Sequence, residues 1–202
     1  MDIAGARGKA ARIASALRRA RTRPAMRELA GDLSAALRAR PRPPADVREV
    51  ARALCEEMAA LRGGRPVELR FERFPDEFDV TGLWVEFQDF DLVIIEERAE
   101  DVQQLVILGH ELWHLHAGHR HHHHGVGAAA AHALAKRPGW DDIALTVAAR
   151  DGSREDDEAE ADAFGHRLAA AFRPYLSGRA RSAPPDPVQR TLGYRGRRGT
   201  AR

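Results

Sequence analysis

Residues 100–118 read EDVQQLVILGHELWHLHAG, and the fold has to be built around this stretch. It predicts a helix that begins among acidic residues and ends at Gly118. Its leucines share one side of that helix: Leu105, Leu108, Leu112 and Leu115. His110 and His114 lie about 40° apart on the opposite side. A helix that is apolar over so much of its surface is buried, so its two histidines need a shared partner.

The stretch contains an HExxH pattern, HELWH, at residues 110–114. Histidines four residues apart on a helix point two ring nitrogens at one metal ion. Glu111, between them, then lies where it can act as general base on a water molecule. The pattern therefore predicts a Zn²⁺ site with His110 and His114 as ligands and Glu111 as the catalytic residue. Two core histidines bonded to backbone carbonyls are the alternative.

A third ligand is expected from a later helix, which residues 153–174, SREDDEAEADAFGHRLAAAFRP, predict. Glu158 and Asp162 lie one turn apart at the margin of its apolar stripe, where core meets cleft. This spacing lets Glu158 bind the metal while Asp162 holds the other nitrogen of a ligand histidine. Asp157 is the alternative ligand, and a solvated acidic helix start is the alternative for the whole cluster.

The remaining histidines of this region are not expected to belong to the site. His116 falls on the leucine side of the helix. His119 comes nine residues after His110, one short of the third histidine in the pattern HExxHxxGxxH. The run His121–His124 precedes a glycine and alanine stretch and predicts a solvated loop that binds metal only adventitiously.

Upstream of the helix, three short segments have the composition of strands. They are VELRFERF from residue 67, GLWVEFQ from residue 82 and DLVIIEE from residue 91. A helix over ADVREVARALCEEMAALRGG, residues 45–64, precedes them and stops at its glycine pair. These elements predict an α+β fold in which a small antiparallel three-stranded sheet packs on helices, among them the HExxH helix and a later helix that carries Glu158.

Charge divides the chain into three parts. Residues 1–45 carry 11 basic and 3 acidic residues, and residues 179–202 carry 7 and 1, around an acidic middle. We interpret residues 1–45 as a basic extension, helical in part, residues 46–176 as the folded domain, and residues 177–202 as a disordered basic tail. Direct nucleic-acid contact is not expected, because no aromatic residues accompany the basic charge. Met26 is an alternative start of the chain.

Cysteine content and hydropathy bear on the compartment. Cys55 is the only cysteine, and a lone thiol forms neither an internal disulfide nor a cysteine zinc cluster. No leader pattern opens the sequence, and no apolar run approaches the roughly 18 residues that a membrane span needs. We therefore expect a cytoplasmic protein without membrane contact.

The order of these motifs resembles the ImmA/IrrE family of metallopeptidases over roughly residues 46–175. The matching segments are GLWVEF and DLVIIEE, then VQQLVILGHELWHLHAGH, then EAEADAFGHRLAA. Two features depart from the family pattern. Trp113 stands where the family usually has glycine, and the histidine and alanine run enlarges the gap between His114 and Glu158.

The resemblance implies a zincin-like core of the gluzincin type, with zinc ligands His110, His114 and Glu158 and catalytic Glu111. It implies a zinc metallo-endopeptidase that cleaves a helix-turn-helix repressor, as in bacterial transcription regulation or toxin–antitoxin pairs. The segment DLVIIEE is the expected edge for an extended substrate, and His166 is a candidate for oxyanion stabilisation. The alternative function is a non-catalytic, zinc-containing regulatory or toxin-component interaction protein.

Overall fold

The computed structural model describes residues 3–76, 80–119 and 155–176 of the chain. The described elements are α1 (Ile3–Ala39), α2 (Val47–Leu61), β1 (Val67–Glu72), β2 (Gly82–Glu86), β3 (Asp91–Glu96), α3 (Asp101–Ala117) and α4 (Glu155–Leu176). This element content confirms the predicted α+β class. The run His121–His124 and the predicted tail, residues 177–202, lie outside the described residues.

The sheet is mixed, and the prediction of an antiparallel sheet is wrong for one of its two pairings. The strand order is β1-β3-β2. β2 and β3 pair antiparallel, closed by a hydrogen bond from the Phe87 N–H to the Phe90 carbonyl (2.9 Å), whereas β1 and β3 pair parallel. The strand DLVIIEE is therefore central, so it is not the substrate edge that the sequence predicted.

Burial explains why β3 takes the centre of the sheet. All six residues of Asp91–Glu96 are buried, while most of β1 is only half-buried. A strand covered on both faces and both edges is expected to have a continuous apolar run, and LVII is such a run. β2 does not pair with β1, because β3 lies between them. The nine residues 73–81, which connect β1 to β2, are enough to span the width of one strand.

All four described helices contribute to one core. The buried side chains of α1 are Met26, Leu29, Ala30, Leu33 and Leu37, and they join the same apolar cluster as residues of α2, α3 and α4. The folded unit thus includes the second half of α1, which lies before the predicted domain boundary at residue 46. Within the described ranges, no helix combines the length and the apolar character that crossing a bilayer requires.

The helix ends follow the local sequence. Asp46 is the N-cap of α2, and its Oδ1 accepts the Glu49 N–H at 2.8 Å. Gly63 and Gly64 follow α2 with φ of 73° and 87°, and Gly118 ends α3 with φ of 67°. These are left-handed conformations in which glycine is favoured. The predicted stops at the glycine pair and at Gly118 are confirmed.

A buried carboxylate, Asp91, holds the start of β3. Its Oδ2 accepts the Arg65 Nε–H at 2.8 Å and lies 3.3 Å from Arg62 Nη2, while its Oδ1 accepts the Trp84 indole N–H at 3.0 Å. Arg62 also donates from Nη1 to the Leu115 carbonyl at 2.9 Å. Removing either arginine would leave the charge of the buried Asp91 carboxylate only partly compensated, which is destabilising. This network therefore ties the sheet to α2 and to the last turn of α3.

A second carboxylate, Glu96, holds the other end of β3. It accepts the Arg98 Nε–H at 2.9 Å and the Phe74 N–H at 3.0 Å, and Arg98 also bonds the Phe74 carbonyl at 2.8 Å. The Glu96 N–H donates to the Thr81 carbonyl at 2.8 Å. These contacts secure the residue that immediately precedes β2.

Candidate metal centre

The two helices of the candidate site cross at a pair of glycines. A Cβ added at Gly109 of α3 would lie 2.8 Å from the Cα of Gly165 on α4. One added at Gly165 would lie 2.4 Å from the Val106 carbonyl oxygen and 3.2 Å from the His110 nitrogen. Side chains normally keep packed helices about 8–10 Å apart, so this crossing needs glycine on both helices. It brings α4 directly against the turn of α3 that carries the two histidines.

His110, His114 and Glu158 meet beside this crossing and could together hold a metal ion. The Nε2 atoms of the two histidines are 2.9 Å apart. Glu158 Oε2 is 3.3 Å from the Nε2 of His110 and 3.5 Å from that of His114. Three donor atoms from two helices thus converge on one point.

These distances fit the donor set of a metal ion. Two ligands at the usual 2.0–2.1 Å from a tetrahedral ion are about 3.3 Å apart, and the three measured separations lie around that value. Two imidazole nitrogens and one carboxylate oxygen also form a donor set typical of catalytic zinc, with one position left for water or substrate. The three donor atoms are therefore close enough to one another to hold one metal ion.

Asp162 orients the ring of His110, one of the three candidate donors. Its Oδ1 lies 2.9 Å from the Nδ1 of His110, which leaves the Nε2 of that ring facing the other two donors. This is the contact that the spacing of Glu158 and Asp162 predicts. The Asp162 side chain is 68% exposed, so the contact forms at the rim of the site. Contacts of this kind fix the ring orientation and the tautomer of a ligand histidine.

The electrostatics of the cluster favour one positive charge among the donors. Burial by itself would lower the pKa of His110, but the hydrogen bond to Glu158 and the charges of Glu111, Glu158 and Asp162 outweigh it and raise that pKa to about 9. Burial lowers the pKa of His114, and the neighbouring His110 charge adds to this effect. The surrounding carboxylates are the cause of the raised pKa of His110, and the same negative charge would attract a metal cation.

Glu111 is held on the other side of the site by β2. Its carboxylate accepts the backbone N–H of Trp84, and burial raises its pKa to about 7. A Cβ added at Gly82 would lie 2.4 Å from the Ile107 Cγ2 and 2.7 Å from the Glu111 Oε1. The strand backbone therefore lies directly against this carboxylate, which also interacts electrostatically with His110.

The edge of the sheet next to Glu111 belongs to β2. Backbone bonds of Thr81 to Glu96 and of Phe87 to Phe90 set the alternation of the antiparallel ladder. The residues whose backbone groups point away from β3 are therefore Gly82, Trp84 and Glu86. The Trp84 N–H, which bonds Glu111, is one of these outward groups.

The structure separates the other predicted residues from this cluster. His166 lies exposed on α4, and within the described residues no side-chain hydrogen bond or ion pair links it to the three donors. His116 is exposed and packs against Trp113, with ring centroids 5.6 Å apart. Trp113 is buried against Phe164, with centroids 5.2 Å apart, and so lies in the core.

His119 and Asp157 form a pair beside the donors that sequence reasoning missed. The His119 ring packs edge-on against His114, with centroids 5.4 Å apart, and its Nε2 lies 3.9 Å from the Asp157 Oδ1. Asp157, the alternative ligand, is thus directed to His119 and is not part of the three-donor group. The chain reverses at Gly118 and brings His119 back onto His114. Helical spacing could not predict this contact, because the helix ends before His119.

The glycines that shape the site were also missed, although a signal for them exists. Gly109 and Gly165 each interrupt an otherwise regular helix, and a glycine kept inside a helix despite its cost suggests close packing. Gly82 opens a strand, where glycine likewise suggests close backbone approach. Which elements approach each other at these positions does not follow from the sequence.

Comparison with known proteins adds no assignment, since no family model, no curated protein and no solved structure matches this chain.

Proposed function

We propose that this protein is a zinc-dependent endopeptidase of the ImmA/IrrE type that acts on a protein substrate in the cytoplasm. The observation that carries the proposal is the position of Glu111. Its buried carboxylate lies against the β2 backbone, and its charge interacts with both His110 and Glu158 of the three-donor group. A structural metal site is closed by its protein ligands and does not need a general base beside it.

His110, His114 and Glu158 would hold the zinc, and Asp162 would keep the His110 ring in place. When bound, the zinc would act as a Lewis acid that acidifies water and polarises a peptide carbonyl. Glu111 would accept a proton from the attacking water while the oxygen of that water bonds to the carbonyl carbon. It would then pass that proton to the amine nitrogen as the carbon–nitrogen bond breaks. The products are one carboxylic acid and one amine, with the proton returned.

The edge of β2 is the proposed place for an extended substrate. The Trp84 N–H on this edge is already bonded to Glu111, so the groups left for pairing are the Trp84 carbonyl and the outward groups of Gly82 and of Glu86, which is exposed. A peptide can pair with such an edge through main-chain hydrogen bonds. This proposal replaces β3, whose two edges are already paired.

The proposed substrate is a helix-turn-helix repressor or an antitoxin partner, and this part rests on the motif resemblance alone. The competing function is a zinc-containing interaction protein that cleaves nothing. The two functions differ in whether Glu111 must exchange a proton.

Glu111→Gln tests the difference. Glutamine has nearly the same size as glutamate and leaves all three metal donors in place, so the variant should bind zinc as the parent does. It cannot accept the proton, so we expect cleavage to fall by at least about 100-fold, in the range that general-base catalysis contributes. The measurement is a comparison of newly formed protein N-termini in cells that express the parent or the variant, followed by co-expression with the repressor encoded nearest to this chain's gene.

Asp156→Ala is a matched control, because Asp156 lies on α4 close to Glu158 but is not one of the three donors. It should leave both zinc binding and cleavage unchanged. If the parent and Glu111→Gln proteins give the same N-termini while both retain zinc and full biological effect, the protein is an interaction module and the peptidase proposal is wrong.

A further inference from the structure

Gly82 occupies a position where the backbone conformation does not require glycine. Of the described glycines, only Gly63, Gly64 and Gly118 have positive φ. Gly82 begins β2 and pairs with Ile95 in an antiparallel ladder, a conformation that alanine also adopts. Glycine is therefore needed there for space alone.

The space in question is filled by two side chains of α3. A Cβ at position 82 would come within 2.4 Å of the Ile107 Cγ2 and 2.7 Å of the Glu111 Oε1. Ile107 is branched at Cβ, which restricts its rotation, and it is buried in the core. The Glu111 carboxylate is at the end of a longer, unbranched side chain. The carboxylate can turn away from an added methyl group, but this relieves only its own contact. The contact to Ile107 strains the core, and a second substitution has to separate its effect from that of Glu111.

We infer that Gly82 is a positioning residue for Glu111, because its missing side chain lets the β2 backbone hold the carboxylate in the orientation that faces the metal donors. The Trp84 N–H, two residues along the same outward edge, supplies the bond that keeps it there. The donors themselves are set by the α3–α4 crossing, so a side chain at position 82 should disturb Glu111 without disturbing them. The inference rests on the proposed function.

The central variant is Gly82→Ala. The control is Gly31→Ala, at an exposed position in α1 where an added Cβ has nothing within 4 Å. A third protein combines Gly82→Ala with Ile107→Ala, which removes the Cγ2 contact and leaves the Glu111 contact. If Gly82→Ala acts only by straining the core, this double variant regains the behaviour of the Ile107→Ala protein; if it displaces Glu111, it does not.

Three readouts separate positioning from general damage. The first is zinc affinity, which should stay at the parent value in Gly82→Ala. The second is the affinity of the zinc-loaded protein for acetohydroxamic acid, a metal-binding probe whose hydroxyl can donate to the neighbouring carboxylate. We expect it to fall by about 10- to 100-fold in both Gly82→Ala and Glu111→Gln, the range for losing a hydrogen bond to a charged group. The third is the exchange protection of the Trp84 amide proton, read by NMR in metal-free protein. It should change in Gly82→Ala, in Glu111→Gln and in the double variant, but not in Ile107→Ala.

An unchanged Trp84 amide together with parent hydroxamate affinity in Gly82→Ala would overturn the inference. The amide signal needs neither metal nor substrate, so it decides the question even if the probe binds no version of the protein. If the parent cleaves nothing but Gly82→Ala changes the amide protection as Glu111→Gln does, the proposed function fails while the positioning role stands. If the parent cleaves its substrate and Gly82→Ala cleaves it equally well, the positioning role fails alone.

Discussion

At the α3–α4 crossing two helix backbones touch, whereas at the β2 edge a strand backbone touches the ends of side chains. A Cβ at Gly165 would meet a carbonyl oxygen at 2.4 Å, and a Cβ at Gly82 would meet Ile107 and Glu111. Backbone cannot turn away from an added methyl group, but a carboxylate can. The three candidate donors are therefore positioned by contact between two helix backbones, whereas the Glu111 carboxylate is positioned separately, by contact with a strand backbone.

The crossing should be the more sensitive of the two regions. Gly165→Ala forces α4 away from Val106 and so moves Glu158 away from both histidines. Overpacking typically costs about 1–3 kcal/mol, and a cost at the top of that range corresponds to a decrease in Tm of about 6–12 °C for a domain of roughly 150–250 residues. Zinc affinity should fall together with Tm, in contrast to Gly82→Ala. Thermal unfolding and zinc titration of the same samples provide the check.

Gly31→Ala is the control for Gly165→Ala, since it also adds a methyl group within a helix but has no neighbour within 4 Å. It should raise stability by about 0.5–1 kcal/mol, as replacing glycine in a helix does. Parent values of Tm and zinc affinity in Gly165→Ala would show that the two helices do not need this close approach.

A smaller perturbation leaves the crossing intact and removes one donor. Glu158→Ala should reduce zinc affinity by more than the roughly 10- to 100-fold expected for Asp162→Asn, because Glu158 is one of the three candidate donors, whereas Asp162 contacts the far nitrogen of the His110 ring. Competition against a chelator of known affinity measures both variants. Equal affinities in Glu158→Ala and the Asp156→Ala control would remove Glu158 from the ligand set.

The smallest expected effect concerns how the β2 end of the site is secured. The hydrogen bond to Arg98 outweighs burial and lowers the pKa of Glu96 to about 2, against an ordinary 4.5. Because the folded pKa lies below the unfolded one, the stabilisation is complete above about pH 5 and is lost as the pH falls toward 2. Arg98 is 41% exposed, so solvent screening limits this contribution.

Glu96→Gln should therefore flatten the decrease in the free energy of unfolding between about pH 5 and pH 2. The control is Glu97→Gln, which changes the next residue, a glutamate 44% exposed and paired with Arg48. Denaturant unfolding at a series of pH values gives the comparison. Identical acid slopes in the parent and Glu96→Gln proteins would show that this carboxylate does not secure the strand end.

The parts of the site that follow from the sequence are those set within one element. His110 and His114 share a face because they are four residues apart, and Glu158 and Asp162 are placed one turn apart for the same reason. The stops at Gly63, Gly64 and Gly118 depend on local backbone preferences, so they could also be read directly. Helical and strand periodicity is a property of neighbouring residues, which is why these predictions agree with the structure.

What only the tertiary structure decided involves contacts between distant segments. The order β1-β3-β2 makes β2 the edge beside Glu111, although β1, β2 and β3 follow one another along the chain. The meeting of Gly109 with Gly165 and the approach of Gly82 to Glu111 join residues that no periodicity relates. Such pairings depend on which surfaces are buried together when the whole core forms. The sequence of one helix or strand does not specify the element against which it packs. The candidate donors could therefore be named from local information, whereas their convergence, and the position of Glu111 against β2, were decided by packing.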